Sequence, residues 1–150
     1  MEDASVLHLK NQFCFPLYAA SRLTTKLYAP ILKALELTYP QYLVLMVLWE
    51  NDQQTVNAIG NCLLLESNTL TPLLKRLEQK KLLQRTRSSK DERVVTVALT
   101  QKGIDLKKEA LCIPQQITAL FEDTTLEPKN LENFHQTLYK LIDVLKEKTA

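Results

Sequence analysis

A mostly helical fold carrying one small β-hairpin is what this sequence predicts, and three observations predict it. Only two glycines, Gly60 and Gly103, occur in 150 residues, too few turn residues for a β-rich chain. Apolar residues recur at helical spacing over most of the length. One stretch alone, LLQRTRSSKDERVVTVALT, alternates as strands do on both sides of a polar loop. With 45% hydrophobic residues, the chain is long enough to bury a core, and one domain over residues 1–150 is expected.

The elements follow in order. Leu17, Tyr18, Leu23, Leu27, Ile31, Leu32 and Leu35 predict a first helix from about Asn11 to Leu27, with a short continuation after Pro30. Pro16 belongs in its first turn, which sets Cys14 at the helix's positive end. In LTYPQYLVLMVLWEND, Thr38 and Gln41 have capping-box spacing ahead of an apolar run, so a buried helix is expected over about Tyr39 to Glu50. Thr55 caps a short helix through about Leu63, and Ser67 caps the next, SNTLTPLLKRLEQKK. The hairpin comes after it, with Val95, Val97 and Leu99 on one face. Beyond Thr100 one long helix, with distortion at Pro114, is expected to about Glu122. Pro128 starts the last, where Leu131, Phe134, Leu138, Leu141 and Leu145 alternate spacings of three and four, the seam of packed helices.

Two short helices joined tightly and followed by a hairpin are the layout of a winged helix-turn-helix. The expected organisation is a winged helix-turn-helix over 37–100, with a recognition helix at about 67–80 and a wing at about 83–99. Helices over 1–36 and 101–150 flank it and carry their own apolar stripes, which suggests a homodimer.

Net charge is only +2, but Lys75 to Arg93 holds eight basic residues against three acidic, a local +5 on a body of −3. Such a segment is the footprint of a polyanion site, with a solvated charged face as the equal alternative on charge alone. Three cysteines without a CxxC pair, and two histidines, suit neither a disulfide framework nor a zinc site, so no metal and no cofactor are expected. The acidic start MEDASV is not a secretory signal, and the longest apolar run, Leu43 to Trp49, is far short of a membrane span. A cytoplasmic protein with reduced thiols is expected, with no membrane partner.

NQFCFPLYAASR, LTYPQYLVLMVLWE, TLTPLLKRLEQ and the wing DER together resemble the MarR family of winged-helix regulators. The first two resemble its organic hydroperoxide resistance branch. The resemblance covers almost the whole chain. It implies that Cys14 is an oxidation sensor, with Tyr28 and Tyr39 hydrogen-bonded to it and contributed partly by the other subunit. It also implies that α-helix 67–80 enters the major groove of a pseudopalindromic duplex operator. Ser67, Asn68, Thr69, Thr71 and Pro72 would lie near bases or sugar-phosphate, and Lys75 and Arg76 on phosphates. Arg93, oriented by Asp91, would reach the minor groove, with Arg85 and Arg87 on the backbone. For Arg85, Lys80 and Lys81 a solvated face is an equal reading. Glu66-Ser67-Asn68-Thr69 stands where the family usually has D-S-G-T, and Cys62 has no family role.

The chemistry agrees. A free thiol of pKa ~8.5 is only a few per cent thiolate at neutral pH, and a helix N-terminus or nearby donors raise that share. Thiolate attacks a peroxide O–O bond to give sulfenic acid, and Phe13, Phe15 and Leu17 would favour an organic peroxide. The expected function is a repressor that releases its operator when Cys14 is oxidised, the sulfenate passing to a low-molecular-weight thiol or to higher oxides. Cys112 is the alternative resolving thiol, through an intersubunit disulfide. Two other readings stand beside it: control by a small aromatic or phenolic ligand near Tyr28 and Tyr39, and a thiol peroxidase. The peroxidase lacks its signature and leaves the basic segment without a purpose, so the chain is not expected to be an enzyme.

Overall fold

Asn11 and Gln12 decide how the chain begins. Asn11 Nδ2 donates to the carbonyl of Ser5 at 2.8 Å, and Gln12 Nε2 to that of Val6 at 2.7 Å. The preceding residues are thereby closed into two 3₁₀ turns, Ala4–Leu7 and Leu9–Asn11. Helix α1 therefore starts at Phe15 rather than near Asn11, and spans Phe15–Lys33. Cys14 is its N-cap and Pro16 lies in its first turn, so the thiol is at the positive end as expected. Proline costs a helix interior about 3 kcal/mol, yet Pro30 does not end α1. Leu32, just beyond it, is completely buried, and that packing is lost if the chain turns away early.

The structure, a computed structural model, describes residues 4–91, 93–122, 124 and 127–149. Glu92 of the DER wing and the first three residues of MEDASV lie outside the described residues. The chain forms two compact units, Met1–Cys112 and Ile113–Ala150.

In the first unit, Gln41 Oε1 accepts from the Thr38 N–H at 3.1 Å, the reciprocal half of a capping box. Helix α2 spans Tyr39–Glu50, the predicted bounds. Thr55 caps α3, Val56–Leu63, its hydroxyl accepting from the Ala58 N–H at 3.1 Å. Thr55→Ala should cost about 1 kcal/mol, seen as a lower urea midpoint with an unchanged slope; an unmoved midpoint would show the cap contributes nothing. Leu64, in the left-handed region at φ 54°, ends α3.

Helix α4 spans Ser67–Gln79, and its N-cap is Glu66 rather than the predicted Ser67. Glu66 is extended, and its carbonyl accepts from the N–H groups of Thr69 and Leu70, both at 3.0 Å. That puts Ser67 inside the first turn. Leu70, Leu74 and Leu77 face the core. Helix α2 is central, packed by α1, α3 and α4 with Val44 and Leu45 wholly buried.

The hairpin forms as expected. Strand β1, Gln54–Thr55, precedes it; β2 is Leu83–Arg87 and β3 is Val95–Leu99. β2 and β3 pair antiparallel, from Leu83 opposite Leu99 to Arg87 opposite Val95. β1 pairs with the other edge of β3, giving the order β1-β3-β2. Val97 is the inward residue of β3 and is fully buried. Asp52 Oδ1 accepts from the Leu99 N–H at 2.8 Å, holding the end of β3 beside the turn after α2.

Thr100 caps α5, Gln101–Ala110, by accepting from the Gly103 N–H at 3.2 Å. The long helix expected here is two. A turn at Leu111 and Cys112 separates α5 from α6, Ile113–Ala119, which also ends short of Glu122. Pro114 has no N–H to give the carbonyl four residues back, Ala110, and so breaks the ladder. The second unit holds α6 and α7, Pro128–Thr149. No residue of α7 is buried, and Phe134 and Leu145 of its apolar stripe are 53% and 47% exposed. Among the described residues, no helix is long and apolar enough to cross a membrane.

Candidate nucleic-acid interface and thiol site

Burial of Leu70, Leu74 and Leu77 turns the opposite face of α4 outward. Ser67, Asn68, Thr69, Pro72, Lys75 and Arg76 are exposed on it, and Thr71 is half-buried. The Thr71 hydroxyl donates to the Ser67 carbonyl at 2.7 Å, which ties down the first turn that carries the candidate base-reading side chains. The structure thus brings together the residues that sequence reasoning placed on a recognition helix.

The wing is shaped by two short polar side chains. Ser88 Oγ accepts from the N–H groups of Lys90 and Asp91 at 3.2 and 3.4 Å. Asp91 Oδ1 accepts from the Arg93 N–H at 3.0 Å. Asp91 therefore orients Arg93 through its backbone, leaving the guanidinium at the exposed tip. Between α4, the start of α3 and the wing lies a groove of about 430 Å³. Lys75, Arg85, Arg87 and Arg93 line it together with the hydroxyls of Thr55, Ser67 and Thr71. Four cations around a concave surface of mixed polarity suit a phosphate backbone.

Arg85 differs from the other three. Its Nε and Nη2 donate to Glu78 Oε2 at 3.0 and 2.6 Å, and its backbone N–H donates to Glu78 Oε1 at 2.9 Å. The Arg85 side chain's hydrogen bonds hold the Glu78 carboxyl below its ordinary value. A lowered carboxyl contributes stability above its unfolded value and loses it as pH falls through the lowered one. Lys80, read as equally solvated or bound, donates through Nζ to the carbonyl of Glu36.

The thiol site has two parts. Cys14 is exposed, beside Phe13, which is 79% exposed. Arg22 lies over the ring of Tyr18 at 5.6 Å, one turn along the same helix. Tyr28 is fourteen residues on, roughly 21 Å along the axis at a rise of about 1.5 Å per residue, so one chain does not bring Cys14 and Tyr28 together.

Tyr28 does meet Tyr39, their ring centroids 4.6 Å apart. Two further aromatics that sequence reasoning missed extend the pair. Tyr42 lies 6.3 Å from Tyr28, and Trp49 stands edge-on to Tyr42 at 6.0 Å. Their signal was in the spacing: Tyr39, Tyr42 and Trp49 recur at three and seven on α2, one helical face. Burial, then the neighbouring Tyr28, holds the Tyr39 phenol above its ordinary value, so it is a protonated donor. Burial raises Tyr42 likewise, reinforced by Tyr28, Tyr39 and the thiol of Cys112. Cys112 thus belongs to the surroundings of the tyrosine cluster, with its Sγ donating to the Glu109 carbonyl at 3.3 Å. Cys62 is exposed on α3. Among the described residues, no group of His, Cys, Asp or Glu is arranged to hold a metal ion.

Comparison with known proteins agrees with this geometry. The family described as "Transcriptional regulator SarA/Rot" matches residues 26–110. The organic hydroperoxide resistance transcriptional regulator of Bacillus subtilis (strain 168) is 46% identical over 142 residues, 95% of each chain. Reduced AbfR bound to DNA superposes with a TM-score of 0.79 at 36% identity, covering 98% of this chain and 99% of that one. AbfR has also been solved overoxidised on DNA, at TM-score 0.69, 41% identity and 90% and 96% coverage. Its disulfide form superposes at 0.63, with 41% identity and 91% and 94% coverage.

Proposed function

The chain belongs to the MarR/SarA family of winged-helix transcriptional regulators, in its organic hydroperoxide resistance branch, and on that premise we propose that it is a homodimeric repressor that leaves its operator when Cys14 is oxidised. The observation that carries the reading is the close, tilted pair of Tyr28 and a protonated Tyr39, two donors of the kind a sulfur anion needs. A relative solved both reduced on DNA and in a disulfide form supports redox control. Cys14 is roughly 21 Å from Tyr28 along its own helix, so the donors come from the second copy. The exposed stripe of α7, with Phe134 and Leu145, supplies an apolar surface for that copy to cover. The dimer sets two α4 helices about 34 to 36 Å apart on a pseudopalindrome.

In the sensing step the Cys14 thiolate attacks one oxygen of an organic hydroperoxide. An S–O bond forms, the O–O bond breaks, and the alkoxide leaves as an alcohol with a proton from solvent. The sulfenic acid then condenses with a small thiol, giving a mixed disulfide and water. The adduct displaces the tyrosine donors, and each hydrogen bond lost to a charged group is worth roughly 1.5 to 3 kcal/mol. Loss of both shifts a two-state dimer by about a hundredfold or more, enough to change the spacing of the recognition helices.

A second fate for the sulfenate is favoured by one observation. Cys112 is near enough to Tyr42 of the same aromatic cluster to add, last among the causes, to the rise of its phenol, which supports the second copy's Cys112 as the alternative partner for the sulfenate. Mass spectrometry after cumene hydroperoxide and a small thiol tests the proposal. A thiol adduct on Cys14, or a Cys14–Cys112 crosslink between chains, is expected; an unmodified Cys14 alongside peroxide-induced release would overturn it.

A further inference from the structure

Arg85 sits on the wing strand in a groove built for an anion, yet it is already held. Nε and Nη2 reach Glu78 Oε2 at 3.0 and 2.6 Å, and Glu78 Oε1 takes the Arg85 backbone N–H at 2.9 Å. Glu78 lies on the last turn of α4 and Arg85 at the middle of β2, so these three bonds join recognition helix to wing. Both side chains are only partly exposed, at 25% for Arg85 and 35% for Glu78, where solvent weakens the pair less than at an open surface. Neighbouring Lys75, Arg87 and Arg93 line the same groove, and among the described residues no side-chain hydrogen bond or ion pair occupies them.

We infer that Glu78 and Arg85 form a strut that fixes the wing against the recognition helix, and that Arg85 serves operator binding as a positioning residue rather than as a phosphate ligand. The geometry of the contact is the reason. Two guanidinium nitrogens of Arg85 converge on Glu78 Oε2 while Oε1 takes the backbone N–H, which fixes direction as well as distance and occupies the edge of the guanidinium that a phosphate would need. With α4 in the major groove and Arg93 at the wing tip bound for the neighbouring groove, the angle between helix and wing decides whether both engage at once.

The inference rests on the operator reading and makes a prediction of unusual sign. Glu78→Gln removes a negative charge from the face that meets a polyanion, which by simple charge balance tightens binding. A strut predicts the opposite, a loss of about tenfold, the scale of one charge-assisted pair, with the dependence on salt unchanged. Arg85→Gln should weaken binding similarly, again with an unchanged salt slope. A lost phosphate contact would instead lower that slope by about 1.

Fluorescence anisotropy of reduced protein is the measurement, on a labelled duplex of roughly 30 base pairs, long enough for two half-sites, selected by the wild type from a random library. Weaker binding by Glu78→Gln at constant slope supports the strut. Equal or tighter binding by Glu78→Gln overturns it, as does a slope reduced by about 1 in Arg85→Gln, the variant that decides the matter should Glu78→Gln not fold. Failure of the wild type to select any duplex would overturn the operator reading itself, a result separate from either.

Discussion

Gly103→Ala should destabilise the first unit by about 3 kcal/mol or more, at the upper end of overpacking substitutions. A Cβ at Gly103 would lie 2.0 Å from the Leu82 carbonyl oxygen and 3.1 Å from Leu99 Cδ2. Leu82 has no room to retreat. Its carbonyl accepts from the Thr100 N–H at 3.1 Å and its own N–H donates to the Leu77 carbonyl at 3.0 Å, so moving it opens both the end of α4 and the start of the wing. Alanine gains roughly 0.5 to 1 kcal/mol over glycine in a helix, which the clash outweighs. A chain of this length loses about 2 to 4 °C per kcal/mol, so melting followed by circular dichroism should fall by about 10 °C. Trp49 reports the same event, since it is the only tryptophan and its Nε1 donates to the Gly103 carbonyl at 2.9 Å. A variant that melts within a degree or two of wild type would contradict this account of the wing's base.

Replacing Tyr28 and Tyr39 together by phenylalanine should leave the fold intact while slowing the reaction with an organic hydroperoxide by about 10- to 100-fold, and it should weaken reduced-state operator binding, because the same two hydrogen bonds hold the DNA-binding arrangement of the dimer. Phenylalanine retains the ring pair at 4.6 Å and removes only the hydroxyls. Two hydrogen bonds to a charged group are together worth several kcal/mol, and about 1.4 kcal/mol is a factor of ten in rate. Part of that is returned, because a less stabilised thiolate is a better nucleophile, with a Brønsted slope of about 0.4 to 0.5. Stopped-flow loss of reactive thiol against cumene hydroperoxide measures the rate. An unchanged rate would remove the tyrosines from the sensing step and leave them as packing.

Much of the fold was legible because its boundaries are set by local chemistry. Thr38 with Gln41, and Thr55, fix the starts of α2 and α3 through side-chain hydrogen bonds within three residues. Burial of Leu70, Leu74 and Leu77 likewise fixed the exposed face of α4. What escaped depends on partners distant in sequence or on backbone detail. The start of α1 moved because Asn11 and Gln12 bind carbonyls six residues back. β1 has two residues, too few for an alternation. The break at Leu111 and Cys112 required knowing that Pro114 would interrupt the helix rather than bend it. The tyrosines were read through a family resemblance, whereas Tyr42 and Trp49 stood on an apolar helix where aromatics read as core. Arg85 was legible as a cation but not as the partner of Glu78.

The central claim is that oxidation at Cys14 is what releases DNA. Anisotropy titrations of one selected duplex with wild type and Cys14→Ser, each reduced and then treated with cumene hydroperoxide and a small thiol, test it most directly. The account predicts that oxidised wild type loses about a hundredfold in affinity or more, recovered on reduction, while Cys14→Ser binds equally before and after treatment. Release of both proteins by peroxide, or of neither, would contradict it.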